Sequence, residues 1–443
     1  MEKPSGWLIG LQVYAYDVND EGADAVVKAA LHIGASVIFV AVSYLDHITT
    51  TKKGRAPTLQ HNPHRQKHGI EAYVHPTSDR YPPGLVPSVG DDPGLDGDAA
   101  YESLKQAAEP YGITVIPWVL FLSQRVAEHA PETQVVNATG DFVKGWLCPS
   151  RPDTIQFVQG LVEDIIERYH PPAIFIDGVR FPEPVSNGLI DFCSCFCDAC
   201  YKEAKARGID LEIARRSLIY QVEALKKNPI AFAEEALVNL SSGFGMLRKI
   251  ASHSSILDWF RFRHSMIEHL IATIKQTAKG RTELWLDVWP PSYGWLLGQD
   301  LSLMAPYAQV TRPFTYHRLG GGADMPGLIG SISPNHDTQQ ALYRLFQAFF
   351  NFPGPPTFKE FLERGLDPEF ITVESVLTKG MLAGHSKFLA GLQIWQVGED
   401  GVRSALEHAL MAEPSGVVLH CYGWATSDEI SAAGQWFKDQ GIV

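Results

Sequence analysis

The sequence predicts a (β/α)8 barrel of the TIM type, in the α/β class, from three observations. Eight short apolar runs, several of them β-branched, recur along the 443 residues. Helical periodicity separates most of these runs, and continuous apolar runs fit parallel strands covered on both faces. No GxGxxG fingerprint follows the first run, which lowers the competing doubly wound sheet. The expected domain is the whole chain, 1–443. It carries a long loop after strand two and a mostly helical insertion, 183–280, after strand four.

In order, the first strand is expected at 7–14 and a helix at 20–34, with Gly34 as its C-cap. Strand two covers 36–43. Residues 45–96 are rich in Pro, Gly, His and Asp and too long for an ordinary connection, so they predict a functional loop over one end of the fold. A helix over 97–111 leads to strand three, 114–122. Ser150 is the expected cap of a helix at 152–169, where Ile155, Val158, Val162, Ile165 and Ile166 form the apolar face. Strand four opens on the buried run Ala173 to Asp177. The insertion closes with a long helix, about 256–278. Strands five to eight are expected at 284–289, 309–315, 390–397 and 416–422. Helices near 300–305, 338–350, 369–383, 401–412 and 427–440 complete the alternation.

The charge balance is 37 basic against 50 acidic residues, a net −13. Duplex binding needs a basic footprint, so nucleic acid is not the expected partner. No polybasic patch suits a membrane surface and no apolar run is long enough to span one. The first residues lack the apolar stretch of a signal peptide, so a cytoplasmic location is expected, with a trimmed secreted chain as the alternative. A homo-oligomer is left open. Aromatic residues make up 11% of the chain, ten of them tryptophan. Such rings suit cores and also stack on the apolar faces of sugars.

Barrel chemistry sits at the C-terminal ends of the strands. Those ends offer Tyr44, Trp118, Asp177, Arg180, Asp287, Trp289, Tyr316, His317, Gln396 and Tyr422. Asp177 and Asp287 end adjacent strands, about 5 Å apart. Glycoside hydrolysis needs such a pair, one protonated and one ionised. Asp177 is therefore the candidate nucleophile or base and Asp287 the candidate acid. The other eight residues are candidates for binding a carbohydrate. Asp17, Asp46 and Glu399 are reserve carboxylates. The bland alternative has the aspartates merely capping loops or bonding Arg180.

The cysteines carry a second signal. Cys195-x-Cys197-x2-Cys200 packs three thiols into one turn, as a structural zinc site requires. Cys148 is the obvious fourth ligand and Cys193 its competitor; buried reduced thiols are the plain alternative. Cys421 reads as core. His61-x2-His64-x3-His68, with His75 beyond, offers a weaker metal pattern in the long loop. Gly320-Gly321-Gly322 lacks the Lys and Ser/Thr of a phosphate loop.

The segments LCPSRPDTIQFVQGLVEDIIERY, FIDGVRFP and CFCDAC resemble barrel glycoside hydrolases and glycosyl-hydrolase-like barrel families. WLDVWPPSYGWLLGQDL and RPFTYHR look like strands five and six of such families. The cysteine arrangement is similar to the zinc cluster of family 42 β-galactosidases. One cysteine there precedes the helix leading to strand four and a C-x-C-x2-C follows that strand, which matches Cys148, Cys195, Cys197 and Cys200. The resemblance implies a structural zinc and a carbohydrate substrate. That family's glutamates on strands four and seven do not carry over. Strand four ends here in Asp177-Gly178, and strand seven has no Glu before Glu399. A hydrolase with an aspartate-based site is the expectation. The rival expectations are a carbohydrate-binding barrel without catalysis and a metal-dependent sugar-processing enzyme.

Overall fold

The computed structural model describes residues 7–46, 60–61, 65, 70–184, 188–318 and 327–443. Eight parallel strand positions close into a TIM-type barrel. They are β1 Leu8–Val13, β2 Val37–Asp46, β3 Thr114–Leu120, β4 Ala173–Asp177, β5 Glu283–Val288, β6 Val310–Pro313, β7 Lys387–Phe388 with Ala390–Gln393, and β8 Gly416–His420. Each pairs in parallel with its neighbour, and β1 pairs with both β2 and β8. The two pieces of β7 close the ring. The first pairs with β6 and the second with β8, and a Phe314–Gly391 bridge spans the gap.

Apolar side chains explain the strands. β1, β3, β4 and β8 are buried along nearly their whole length, as helices outside and core inside demand. Inside the barrel, Phe39 packs on Phe175 at 4.4 Å and on Trp285 at 5.9 Å between ring centroids, forming an aromatic floor. Outside, the helix Pro152–Tyr169 buries Val158, Val162, Ile165 and Ile166, as its periodicity predicts. Each such side chain contributes roughly 1.5–3 kcal/mol.

The structure also amends the expected elements. The helix expected from residue 20 is two helices, Ala15–Glu21 and Ala23–Ile33, broken at Gly22. Gly34 does close the second one, in the left-handed conformation. Arg151, rather than Ser150, occupies the N-cap before Pro152, while Ser150 lies 3.3 Å from the Cys200 thiol. A hairpin of Gln134–Val136 and Phe142–Leu147 occupies what reads as plain loop. Within 183–280 the described residues form helices, the longest being Ser254–Ala278.

Of the long segment after β2, the piece Ile70–Ala72 pairs antiparallel with the end of that strand. Buried Asp164 pins the following residues by accepting from Thr77 N at 2.9 Å, Arg80 at 3.0 Å and the Tyr81 hydroxyl at 2.6 Å. His47, His64, His68 and Gly320–Gly322 lie outside the described residues. No described helix is long and apolar enough to cross a membrane.

Gly391 in β7 is a packing requirement. A Cβ there would lie 2.2 Å from Arg312 Nε and 2.5 Å from its Cζ. Gly391→Ala should therefore push Arg312 aside and lower stability by about 1–3 kcal/mol, measurable by urea unfolding.

Candidate functional site at the barrel mouth

The strand ends build a polar layer above the aromatic floor. β5 and β6 are in register with Asp287 opposite Arg312. The Arg312 guanidinium donates to Asp287 Oδ1 at 2.7 Å, to Gln12 Oε1 at 2.8 Å and to the Tyr316 hydroxyl at 2.8 Å. Gln12 Nε2 in turn donates to Asp287 Oδ2 at 3.2 Å. The pair is sealed: the side chains of Arg312 and Asp287 are 0% and 2% exposed. Burial pushes the Asp287 carboxyl up to about 7. The Arg312 charge opposes that rise and the Asp177 charge adds to it.

Asp177 occupies the next strand end. Trp118 Nε1 donates to its Oδ2 at 3.0 Å. Gly178 follows with φ 67°, a left-handed turn that brings its N–H to Asp177 Oδ1 at 2.5 Å. Burial raises the Asp177 pKa, against Arg180, the Trp118 and Gly178 donors, and Arg312. Arg180 lies over Trp146 at 4.8 Å and Trp289 at 5.3 Å, and reaches Glu183 at 3.4 Å. Such stacking on two indoles holds a cation by its attraction to the ring faces.

A rim of rings stands above this layer. His420, at the end of β8, stacks on Tyr316 at 4.9 Å and 10°. Tyr14, Trp118 and Trp424 meet it edge-on. Tyr44 packs against Tyr14 and Trp118. Burial, reinforced by Arg312, drives the His420 pKa far down, so the ring is neutral at physiological pH. His420 Nδ1, Arg180 Nε and Trp395 Nε1 are buried without a hydrogen-bond partner among the described residues. Orphaned buried polar atoms are rare.

The structure thus gathers Asp177, Asp287, Trp118, Arg180, Trp289, Tyr316 and Tyr44 of the expected site. Three others sit apart. His317 is buried just past the end of β6, and burial, Arg318 and His408 lower its pKa to about 4. Gln396 is exposed, beyond the end of β7. Tyr422 bonds Glu21 at 3.0 Å and stacks on His61 at 4.6 Å. Glu399 is exposed on a helix with Arg403, and Cys421 is buried. Gln12, Trp146, Glu183, Arg312 and His420 were not anticipated. The signal for Gln12, Arg312 and His420 is a polar residue within an otherwise apolar strand; Trp146 and Glu183 carry none.

A second cluster lies beside the mouth. The thiols of Cys148, Cys195, Cys197 and Cys200 all fall within 4.8 Å of one another and are buried. Cys148 Sγ lies 3.5 Å from both Cys197 and Cys200 and 3.6 Å from Cys195. These spacings exceed a disulfide bond. They are close to the separation of about 3.8 Å that four sulfurs at 2.3 Å from one tetrahedral ion would have. Cys193 is outside the group. His75, Asp96 and Asp98 also converge, but His75 already contacts Asp96 at 3.1 Å and Asp98 is 3.5 Å from Arg168.

No family model matches the chain, and no curated protein matches it. Solved structures do. The catalytic domain of β-amylase from Paenibacillus polymyxa aligns with a TM-score of 0.54 at 11% identity, covering 98% of each chain. β-Galactosidase from Marinomonas ef1 gives 0.53 at 9% identity, over 98% of this chain and 61% of that one. β-Galactosidase from Bacillus circulans sp. alkalophilus gives 0.51 at 11% identity, over 99% and 56%. At these identities the likeness establishes the shared barrel fold.

The ion pair offers a direct test. Arg312→Met leaves Asp287 buried without its partner and should cost about 3–5 kcal/mol of stability. Adding Asp287→Asn should recover part of that loss in a double-mutant cycle of thermal unfolding.

Proposed function

We propose that the chain is a glycoside hydrolase acting on a carbohydrate at the C-terminal mouth of the barrel. The observation that carries the reading is the pair Asp177 and Asp287 on adjacent strand ends, beneath a rim of aromatic rings and unpartnered polar atoms. The barrel likeness to a β-amylase and to β-galactosidases supports it.

Asp177 is the reacting carboxylate, attacking the sugar or activating water, with Trp118 and the Gly178 N–H holding its oxygens. Asp287 is the proton-carrying partner. Its raised pKa, about 7, keeps a protonated fraction at neutral pH. Trp289, Tyr316 and Tyr44 offer stacking faces, and Arg180 donates to hydroxyls.

A second reading, a barrel that binds carbohydrate without cleaving it, draws on one observation: both Asp287 oxygens are already engaged and sealed. A screen of aryl and natural glycosides separates the two. Asp177→Asn and Asp287→Asn should each lower kcat/KM by about 100-fold or more on a substrate so found. Full activity in both variants would sink the assignment. Binding without turnover, unchanged by Asp177→Asn, would favour the binding barrel. The pH profile gives an independent check. An acid whose folded pKa is raised works below that value, so activity should fall as pH rises through about 7.

We also propose that Cys148, Cys195, Cys197 and Cys200 hold a structural zinc. Four sulfur ligands leave no open position for a substrate. The ion would tie the segment after β4 to the strand of the hairpin that ends at Leu147. Metal analysis should find about one zinc per chain, lost in Cys200→Ser together with thermal stability. Zinc that survives that substitution would point to the loop histidines instead.

A further inference from the structure

Arg263, on the helix Ser254–Ala278, is fully buried, with 0% exposure. Its guanidinium is enclosed by Trp259 at 4.4 Å, Phe181 at 4.6 Å and Phe192 at 5.1 Å. One nitrogen donates to the Phe192 carbonyl at 3.3 Å. Nε and Nη2 have no hydrogen-bond partner among the described residues, and no carboxylate pairs with it there. The other fully buried arginine, Arg312, has Asp287. A buried cation without a counter-charge is strongly unfavourable. The aromatic cage offsets only part of that cost.

The segment that Arg263 bonds at Phe192 runs on to Cys195 three residues later. Burial lowers the Arg263 pKa to about 9, and Cys193 and Cys195 are the groups acting against that fall. Cys195 belongs to the four-thiol cluster. Four thiolates around one divalent ion carry a net charge of minus two, also buried and also in need of balance. The same helix holds the Cys195 segment in place from two points. Trp259 Nε1 donates to the Ser194 carbonyl at 3.0 Å, and Arg263 reaches Phe192. On its other side Cys195 accepts the Val136 N–H at 3.3 Å.

We infer that Arg263 is the counter-ion of the cysteine site: its guanidinium balances the anionic metal–thiolate cluster and sets how tightly the metal is held. The inference rests on the zinc reading above. Each buried charge supplies what the other lacks. Arg263 is thus a positioning residue for the site, acting on the ligands from outside their first ring of contacts. Its cage includes Phe181, the neighbour of Arg180, so the cluster and the barrel mouth share one packed wall.

The test is a chelator titration of the full chain, zinc release being followed by a colorimetric pyridylazo indicator. Arg263→Gln should hold zinc about 10–100-fold more weakly than the unaltered chain. Arg263→Lys, which keeps the charge, should lose much less. Cobalt(II) exchanged into the site should give a thiolate-to-metal absorption band that shifts in Arg263→Gln, since the neighbouring charge is gone. A chain that holds no zinc overturns the zinc reading itself. A chain that holds zinc, with Arg263→Gln holding it equally tightly and with an unshifted cobalt band, overturns only the role of Arg263. Should Arg263→Gln fail to fold, Arg263→Lys carries the test. Zinc retained there supports the charge argument, and zinc lost from the folded Lys variant overturns it.

Discussion

Arg312 and Asp287 face each other on adjacent strands, the first fully buried and the second nearly so. Much else in the mouth follows from that contact. The guanidinium orients Gln12 and the Tyr316 hydroxyl, and Tyr316 sets the plane on which His420 stacks. The guanidinium and the Pro313 carbonyl together require Gly391 on the closing strand. In this low-dielectric layer each hydrogen bond is stronger than it would be in water, and each unpaired group costs more. The pair is not free stability, since a hydrophobic replacement of matched volume is often as good. Its value lies in the arrangement it forces on the residues above it.

The Asp177 environment has a different character. Its oxygens take one indole N–H and one backbone N–H, and Arg180, three residues on, is stacked against two tryptophans. One aspartate is therefore locked to an arginine, while the other keeps neutral donors and a cation held at the side. Two carboxylates in unlike surroundings are what divided proton roles require. The glutamates that family 42 β-galactosidases place on strands four and seven have no counterpart in this sequence. The aspartates that stand instead come from strands four and five.

The barrel itself was legible because buried parallel strands must be apolar throughout, and helices must repeat at their own period. Asp177, Asp287 and Trp118 were legible because a polar or large ring at a strand end has few other uses. Arg312, Gln12 and His420 were harder to see. They lie within apolar strands or at their very tips, where attention goes to the residues just beyond. His317 lies past the end of β6, where the period of two no longer says which way a side chain faces, and burial keeps its ring neutral. The hairpin of Gln134–Val136 and Phe142–Leu147 was missed because its strands are short and half polar. Cys148 could be matched by spacing, but only the fold shows that it meets Cys195, Cys197 and Cys200 while Cys193 stands apart.

The bond from Trp118 to Asp177 has an optical side. An indole whose N–H donates to a carboxylate feels that carboxylate's charge directly, and its ring is packed against Tyr14, Tyr44 and Phe175. The emission of Trp118 is then tied to the ionisation of the acid beneath it and to whatever displaces solvent from the mouth. Trp118 is one of ten tryptophans, and its share of the emission is the share that a change at Asp177 would alter.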